Sequence, residues 1–186
     1  MLNTIYPCIW FNGNAKEAAA FYCDVFEDSQ IISENPGVVM LSIKEQKLML
    51  LNANDAFKPN PTISFNIRCS SQSALENAWQ KLSADGAVLM PLDKYDWCDH
   101  YGWVQDKYGV NWQLSFGMMA DAGQYLIPAL MFTGNNAGKA AEAVSYYSSI
   151  FKNAETDHLI QYEKKDNDTE GTVKHAQFKL DEYAFT

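Results

Sequence analysis

Apolar and polar positions fall into short blocks along this chain, and the blocks recur. Residues 5–11 are an apolar run closed by Asn12-Gly13-Asn14, the pattern of a strand ending in a turn. Asn14 and Glu17 have capping-box spacing, and Ala18, Phe21, Tyr22 and Val25 continue as an apolar stripe of helical period. Residues 30–33, 38–43 and 47–52 then read as a strand meander, divided by Asn35-Pro36-Gly37 and Lys44-Glu45-Gln46. Residues 5–52 therefore predict a β-α-β-β-β unit.

Residues 62–116 repeat the plan. Ile63, Phe65 and Ile67 alternate with Thr62, Ser64, Asn66 and Arg68, as in a strand with one apolar and one polar face. Ser73 and Glu76 predict a capped helix carrying Leu75, Ala78, Trp79 and Leu82 on one side, with Gly86 as its stop. Strands are expected at 87–89, 101–105 and 110–116. The last two are joined by Asp106-Lys107-Tyr108-Gly109, read as a hairpin turn and nothing more.

The third block is a duplicate of the first. Pro7, Phe11 and Gly13 match Pro128, Phe132 and Gly134 at 121 positions, and Tyr22 and Phe26 match Tyr147 and Phe151 at 125. Strands are expected at 126–133, 156–162 and 172–180, with a helix at 137–151. Tyr183–Thr186 aligns with 48–51 in this reading. The expectation is an α+β protein: a complete two-module domain over 1–120, and an unpaired third module at 126–186 forming half of a second such domain.

Composition then limits the partners. The chain has 186 residues, 47% hydrophobic and 13% aromatic, so it can bury a core. Its net charge is −9 and its sole arginine is Arg68, which argues against nucleic acid and against an anionic membrane surface. No apolar run reaches the ~20 residues of a membrane span. The start lacks the pattern of a secretion signal, so a cytoplasmic protein is expected. The cysteines Cys8, Cys23, Cys69 and Cys98 have no metal-finger spacing and are expected as reduced, mostly buried thiols, with Cys98 the one to watch for reactivity.

The first-strand Pro-x-x-x-Phe-x-Gly-Asn, the helix with Phe21-Tyr22 and Phe26, the segment from Tyr101-Gly102-Trp103 to Trp112-Gln113-Leu114, and Lys174-His175-Ala176-Gln177-Phe178 resemble the vicinal oxygen chelate superfamily. The resemblance is to its PhnB-like, glyoxalase and bleomycin-resistance-like branch, often labelled 3-demethylubiquinone methyltransferase, and it spans the whole chain. It implies a glyoxalase-like open barrel of β-α-β-β-β modules around a cleft. Members of that superfamily that use a metal present His or Glu on the first and last strands of each module. Here those places hold Tyr6, Leu50, Thr62 and Gln113. Such neutral groups offer a divalent cation neither charge nor good donors, so no metal and no other cofactor is expected. No glycine-rich nucleoside turn supports methyl transfer.

The expected function is metal-free binding of a small molecule in an aromatic cleft. Its candidate residues are Tyr6, Trp10, Thr62, Ser64, Asn66, Arg68, Trp97, Tyr101 and Gln113, with the loop 93–101 closing over them. The alternative is a lyase, isomerase or dioxygenase acting on a small oxygenated metabolite without a metal or with an atypical one. His100, flanked by Asp96 and Asp99, is its candidate general acid or base. A lone module leaves a sheet edge open. The third module is accordingly expected to pair across a homodimer, or the chain to be part of a four-module protein.

Overall fold

Each change of hydrophobic period along the chain marks an element boundary. The structure, a computed structural model, describes residues 5–116 and 123–186. Module one comprises β1 (Cys8–Phe11), α1 (Ala15–Val25), β2 (Ser29–Glu34), β3 (Val38–Ile43) and β4 (Gln46–Asn52). Module two comprises β5 (Ile63–Arg68), α2 (Gln72–Ser83), β6 (Ala87–Tyr95), β7 (Cys98–Gln105) and β8 (Asn111–Phe116). Module three comprises β9 (Leu126–Leu130), α3 (Ala140–Ile150), β10 (Ala154–Gln161), β11 (Val173–Leu180) and β12 (Tyr183–Phe185). The class is α+β, built from repeated modules as expected, with open sheets rather than a closed barrel. Among the described residues no helix is long and apolar enough to cross a membrane.

Local details differ from the sequence reading. Asn14 makes no side-chain cap to α1. The cap of α2 is Ser71, whose Oγ accepts from Ala74 N at 3.1 Å, rather than Ser73. The expected lid at 93–101 is instead the end of a long β6–β7 hairpin. Three register shifts in that pair let the strands run on to Tyr95 and Cys98.

In each module the first strand lies parallel to the last: β1 with β4, and β5 with β8. Thr186 brackets β9 in the same way, its N donating to Pro128 O at 3.0 Å and its O accepting from Leu130 N at 2.8 Å. The β3–β4 turn holds Lys44 and Glu45 in the left-handed region, and the β11–β12 turn holds Asp181 and Glu182 there. Superposing the two turns aligns Tyr183–Thr186 with 46–49, two positions from the expected match.

How the modules share strands was not legible in the repeat. The sheets run β1-β4-β3-β2, β6-β7-β8-β5-β9 and β10-β11-β12. β5 pairs antiparallel with β9, from Ile63 against Leu130 to Ile67 against Leu126. The first strand of module three thus meets module two inside the chain. Modules one and two share a core instead of a sheet. That core includes Phe11, Tyr22 and Leu50 from one side and Phe65, Leu75 and Trp112 from the other.

Asp106 fastens this core. Its Oδ2 accepts from Tyr22 Oη at 2.9 Å and Trp112 Nε1 at 2.8 Å, and its Oδ1 accepts from Tyr108 N at 2.8 Å and Val110 N at 3.0 Å. The residue read as a plain turn is a buried four-donor hub. Burial raises its pKa, because the four donors only partly replace water around the charge. Gln46 ties module one to β9, its Oε1 accepting from Tyr125 N at 2.8 Å and Leu126 N at 2.7 Å. Module three keeps a smaller core of Val144, Ala176, Phe178 and Leu180, against which Ile5 also packs.

Candidate ligand-binding site

Strand alternation splits module two into an apolar face under α2 and a polar face opposite. Phe65, Ile67, Trp112 and Leu114 are buried in the core. A Cβ on Gly102 would meet the Trp79 ring of α2, so Gly102 faces the helix and its neighbours Tyr101 and Trp103 face away from it. The ladder sets Ser64 beside Asn111, Asn66 beside Gln113, and Arg68 beside Ser115. It also sets Trp103 beside Gln113 and Tyr101 beside Ser115.

These side chains bond to one another. Tyr101 Oη donates to Gln113 Oε1 at 2.6 Å, and Gln113 Nε2 donates to Ser64 Oγ at 2.7 Å. Asn66 Nδ2 donates to Thr186 Oγ1 at 2.8 Å, carrying the chain across the β5–β9 junction into module three. Burial raises the Tyr101 pKa, with Tyr95 and Cys98 adding to the effect, so its phenol stays a donor. Trp97 stacks on Tyr95 with centroids 5.0 Å apart and meets Tyr101 edge-on at 5.9 Å, forming an aromatic rim. Two buried atoms on these strands, Trp103 Nε1 and Asn111 Oδ1, have no hydrogen-bond partner among the described residues. Buried polar groups are normally satisfied, which sets these two atoms apart on the sheet.

Of the sequence candidates, Ser64, Asn66, Arg68, Tyr101 and Gln113 lie together on this polar face, with Trp97 at its rim. Thr62 precedes β5; its O accepts from Met131 N at 2.8 Å, and its hydroxyl donates to Asn60 Oδ1. Tyr6 and Trp10 do not join the group. They belong to module one, where Trp10 Nε1 donates to Asn54 O at 2.6 Å and the ring meets Phe57 edge-on. His100 lies two residues from Gly102 and so on the helix-facing side of β7, away from Tyr101 and Trp103. It lines an open groove of about 460 Å³ with Leu92, Asp93, Lys94 and Asp99. Asp99 there is engaged by Lys94 at 2.8 Å, which holds its carboxyl below the usual range. Cys98, the thiol to watch for reactivity in the sequence, is buried, and Cys8 is exposed.

The metal positions implied by the fold can be tested on the sheet that joins modules two and three. Its first and last strands present Ser64, Gln113, Ala129 and Thr186, and Leu50 of module one is buried in the core. A neutral set with two hydroxyls, one amide and one methyl does not fit a divalent cation. Among the described residues no group of three or more His, Cys, Asp or Glu is placed to hold one.

A family model described as 3-demethylubiquinone-9 3-methyltransferase matches residues 3–115 and again 124–186. A Bacillus cereus PhnB protein bearing the same methyltransferase description is 32% identical over 62% of this chain and 100% of its own, with a TM-score of 0.58. A protein of Pseudomonas aeruginosa is 24% identical over 60% of this chain and 96% of its own, with a TM-score of 0.51. The fosfomycin resistance protein FosX of Listeria monocytogenes shares the fold at 7% identity, covering 64% and 94%, with a TM-score of 0.50. No curated protein matches.

Proposed function

The chain belongs to the PhnB-like family whose model is described as 3-demethylubiquinone-9 3-methyltransferase, within the glyoxalase superfamily; in it, we propose, the polar face of module two binds a small neutral or singly anionic molecule without a metal. The observation that carries this reading is the pair of unmet atoms, Trp103 Nε1 and Asn111 Oδ1, beside a chain of neutral hydrogen-bonding side chains. A ligand that both accepts and donates, such as an amide or a hydroxyl on a small ring, answers both atoms at once. Tyr95, Trp97 and Tyr101 offer the ring a stacking surface. Methyl transfer is no part of this reading, because the fold lacks the doubly wound parallel sheet that a nucleoside site of that kind uses.

The test is a thermal-shift screen of small amides, lactams and hydroxy-substituted rings, followed by calorimetric titration of the best compound. Binding is expected to survive EDTA and to weaken about three- to tenfold in Trp103→Phe, the loss of one hydrogen bond. His100→Ala is expected to bind normally. A stoichiometric metal whose removal abolishes binding would sink the proposal, as would a ligand that protects the His100 groove instead.

A further inference from the structure

Histidine is scarce in this chain, with three copies, yet two of them meet. His158 of β10 and His175 of β11 have ring planes within 12° of parallel, and His158 Nε2 lies 2.9 Å from His175 Nδ1. The pair sits on the two middle strands of module three, apart from the first and last strands where the fold implies a metal. Strand alternation places it. Ala176, Phe178 and Leu180 share a core with Val144 of α3, so His175, Gln177 and Lys179 occupy the opposite face of β11. The ladder sets His158 beside Gln177 and Ile160 beside His175, which brings both imidazoles to that face. His175 is exposed there and His158 half-buried. An irregularity in β10 adds a carboxylate. The register shifts between Thr156 and His158, with Asp157 as the extra residue. In a regular strand Asp157 would point away from His158. Instead its Oδ2 accepts from Gln177 Nε2 at 2.7 Å and its Oδ1 lies 3.9 Å from Lys179 Nζ, so it stands on the same face as the two rings.

We propose that His158 and His175 form a chelating site for a divalent cation of the copper and nickel class. A hydrogen bond between two ring nitrogens needs one of them bare, so one lone pair already faces the gap. On binding, the proton of the donating nitrogen moves to the other nitrogen of its own ring, and both lone pairs then meet the ion. The spacing selects the ion. Imidazole nitrogens bind such metals at about 2.0–2.1 Å, so two of them at a right angle stand about 2.8–3.0 Å apart, and at a tetrahedral angle about 3.3–3.4 Å. The 2.9 Å between these rings fits the right angle of tetragonal copper(II) or nickel(II) and is shorter than tetrahedral zinc(II) asks. Among the described residues no third His, Cys, Asp or Glu completes a ligand set, so water fills the remaining positions. Asp157 acts through its charge, in a chain whose net charge of −9 already favours a cation. Such a site is open and exchangeable, unlike the closed sites that hold a fold together. This inference is independent of the ligand proposed above, which lies on the polar face of module two.

The test titrates the whole chain, stripped with EDTA and dialysed, with copper(II) and follows it by electron paramagnetic resonance. One tetragonal copper per chain with two nitrogen ligands is expected. Affinity should fall about tenfold or more in His158→Gln and in His175→Gln, because each change removes one arm of the chelate. His100→Ala is expected to bind copper like the wild type. In competition, nickel(II) is expected to bind at least as tightly as zinc(II). A measurement on the wild type alone keeps the test open if a variant fails to fold: copper(II) should broaden the amide NMR signals of residues 157–160 and 174–177 before any others. Binding that outlasts both glutamine changes, or broadening that begins elsewhere in the chain, would mean an adventitious ion only and overturns the proposal. Zinc(II) bound more tightly than nickel(II) overturns it too, since the right-angle geometry would then be wrong.

Discussion

Replacing Asp106 by asparagine tests whether one carboxylate holds the first two modules together. The amide keeps the shape but has a single acceptor oxygen. If its NH2 takes the Oδ2 place, the buried donors Tyr22 Oη and Trp112 Nε1 lose their partner; in the other orientation the Tyr108 and Val110 amides do. Either way two buried donors are orphaned, at about 1–3 kcal/mol each, partly offset by removing a buried charge, for a net loss of about 2–4 kcal/mol. For a chain of this length that corresponds to a fall in melting temperature of about 5–12 °C. Tyr22→Phe removes one donor and leaves Asp106 with three, so about 1–2 kcal/mol is expected. Its repeat counterpart Tyr147→Phe, already exposed, should change stability by no more than about 0.5 kcal/mol. Burial raises the Asp106 pKa, so ionising it works against the fold: the stabilisation is complete below the unfolded value of about 3.9 and declines as pH rises through the folded one. The advantage of wild type over Asp106→Asn should therefore shrink from pH 4 upward and then level off. Urea unfolding at several pH values measures all of this. A loss under about 1 kcal/mol for Asp106→Asn, or equal losses for the two tyrosines, would refute the hub.

Three further changes probe other parts of the fold. Gly102→Ala places a methyl group 2.5 and 2.8 Å from the Trp79 ring and 3.0 Å from Leu92 Cα, so a loss of about 1–3 kcal/mol is expected in chemical unfolding. Gln46→Leu strands the Tyr125 and Leu126 amides; faster hydrogen exchange at the head of β9 should report it, with β5–β8 unaffected. His158 and His175 stack 5.0 Å apart and share a hydrogen bond of 2.9 Å. Local burial, then the neighbouring imidazole, lowers the His175 pKa, so its stabilisation is full above the unfolded value of about 6.5 and is lost as pH falls through the lowered one. Stability should drop between pH 7.5 and 5 more steeply in wild type than in His175→Gln, and parallel slopes would contradict the pairing.

Much of the candidate site could be read from period alone. The alternation of Ser64, Asn66 and Arg68 against Phe65 and Ile67 is what the strand shows, and Gln113 falls on the same polar face. Period says nothing about which modules share an edge. An open barrel of modules one and two would bring Tyr6 and Trp10 to that face, whereas the backbone bonds join β5 to β9, more than fifty residues later in the chain. The sequence expects 93–101 as a loop closing over the site, whereas bulges in β6–β7 keep the strands paired through His100. Asp106 escaped notice because a turn aspartate is ordinary, and only burial against Tyr22, 84 positions away, turns it into a hub. One signal is present: Tyr22 lies in the buried stripe of α1, and an aromatic hydroxyl there wants a buried partner.

The side chains of the polar face are better suited to hydrogen bonding than to holding a cation. At the places where a metal would need ligands, the side chains are already committed to each other: Tyr101 to Gln113, Gln113 to Ser64, Asn66 to Thr186. A divalent ion entering there would have to shed water, break these bonds and find no carboxylate to balance its charge. A neutral ligand has no charge to balance and sheds its water at a much smaller cost. In the binding mode proposed above it would accept from Trp103 Nε1 and donate to Asn111 Oδ1, two groups that are costly to leave unmet. The face that repeats as sequence in module one is apolar, with Met40, Met49 and Leu51 in place of amides and hydroxyls. The two sheet faces thus differ in character, and it is the residue at every second strand position, not the fold, that sets the difference.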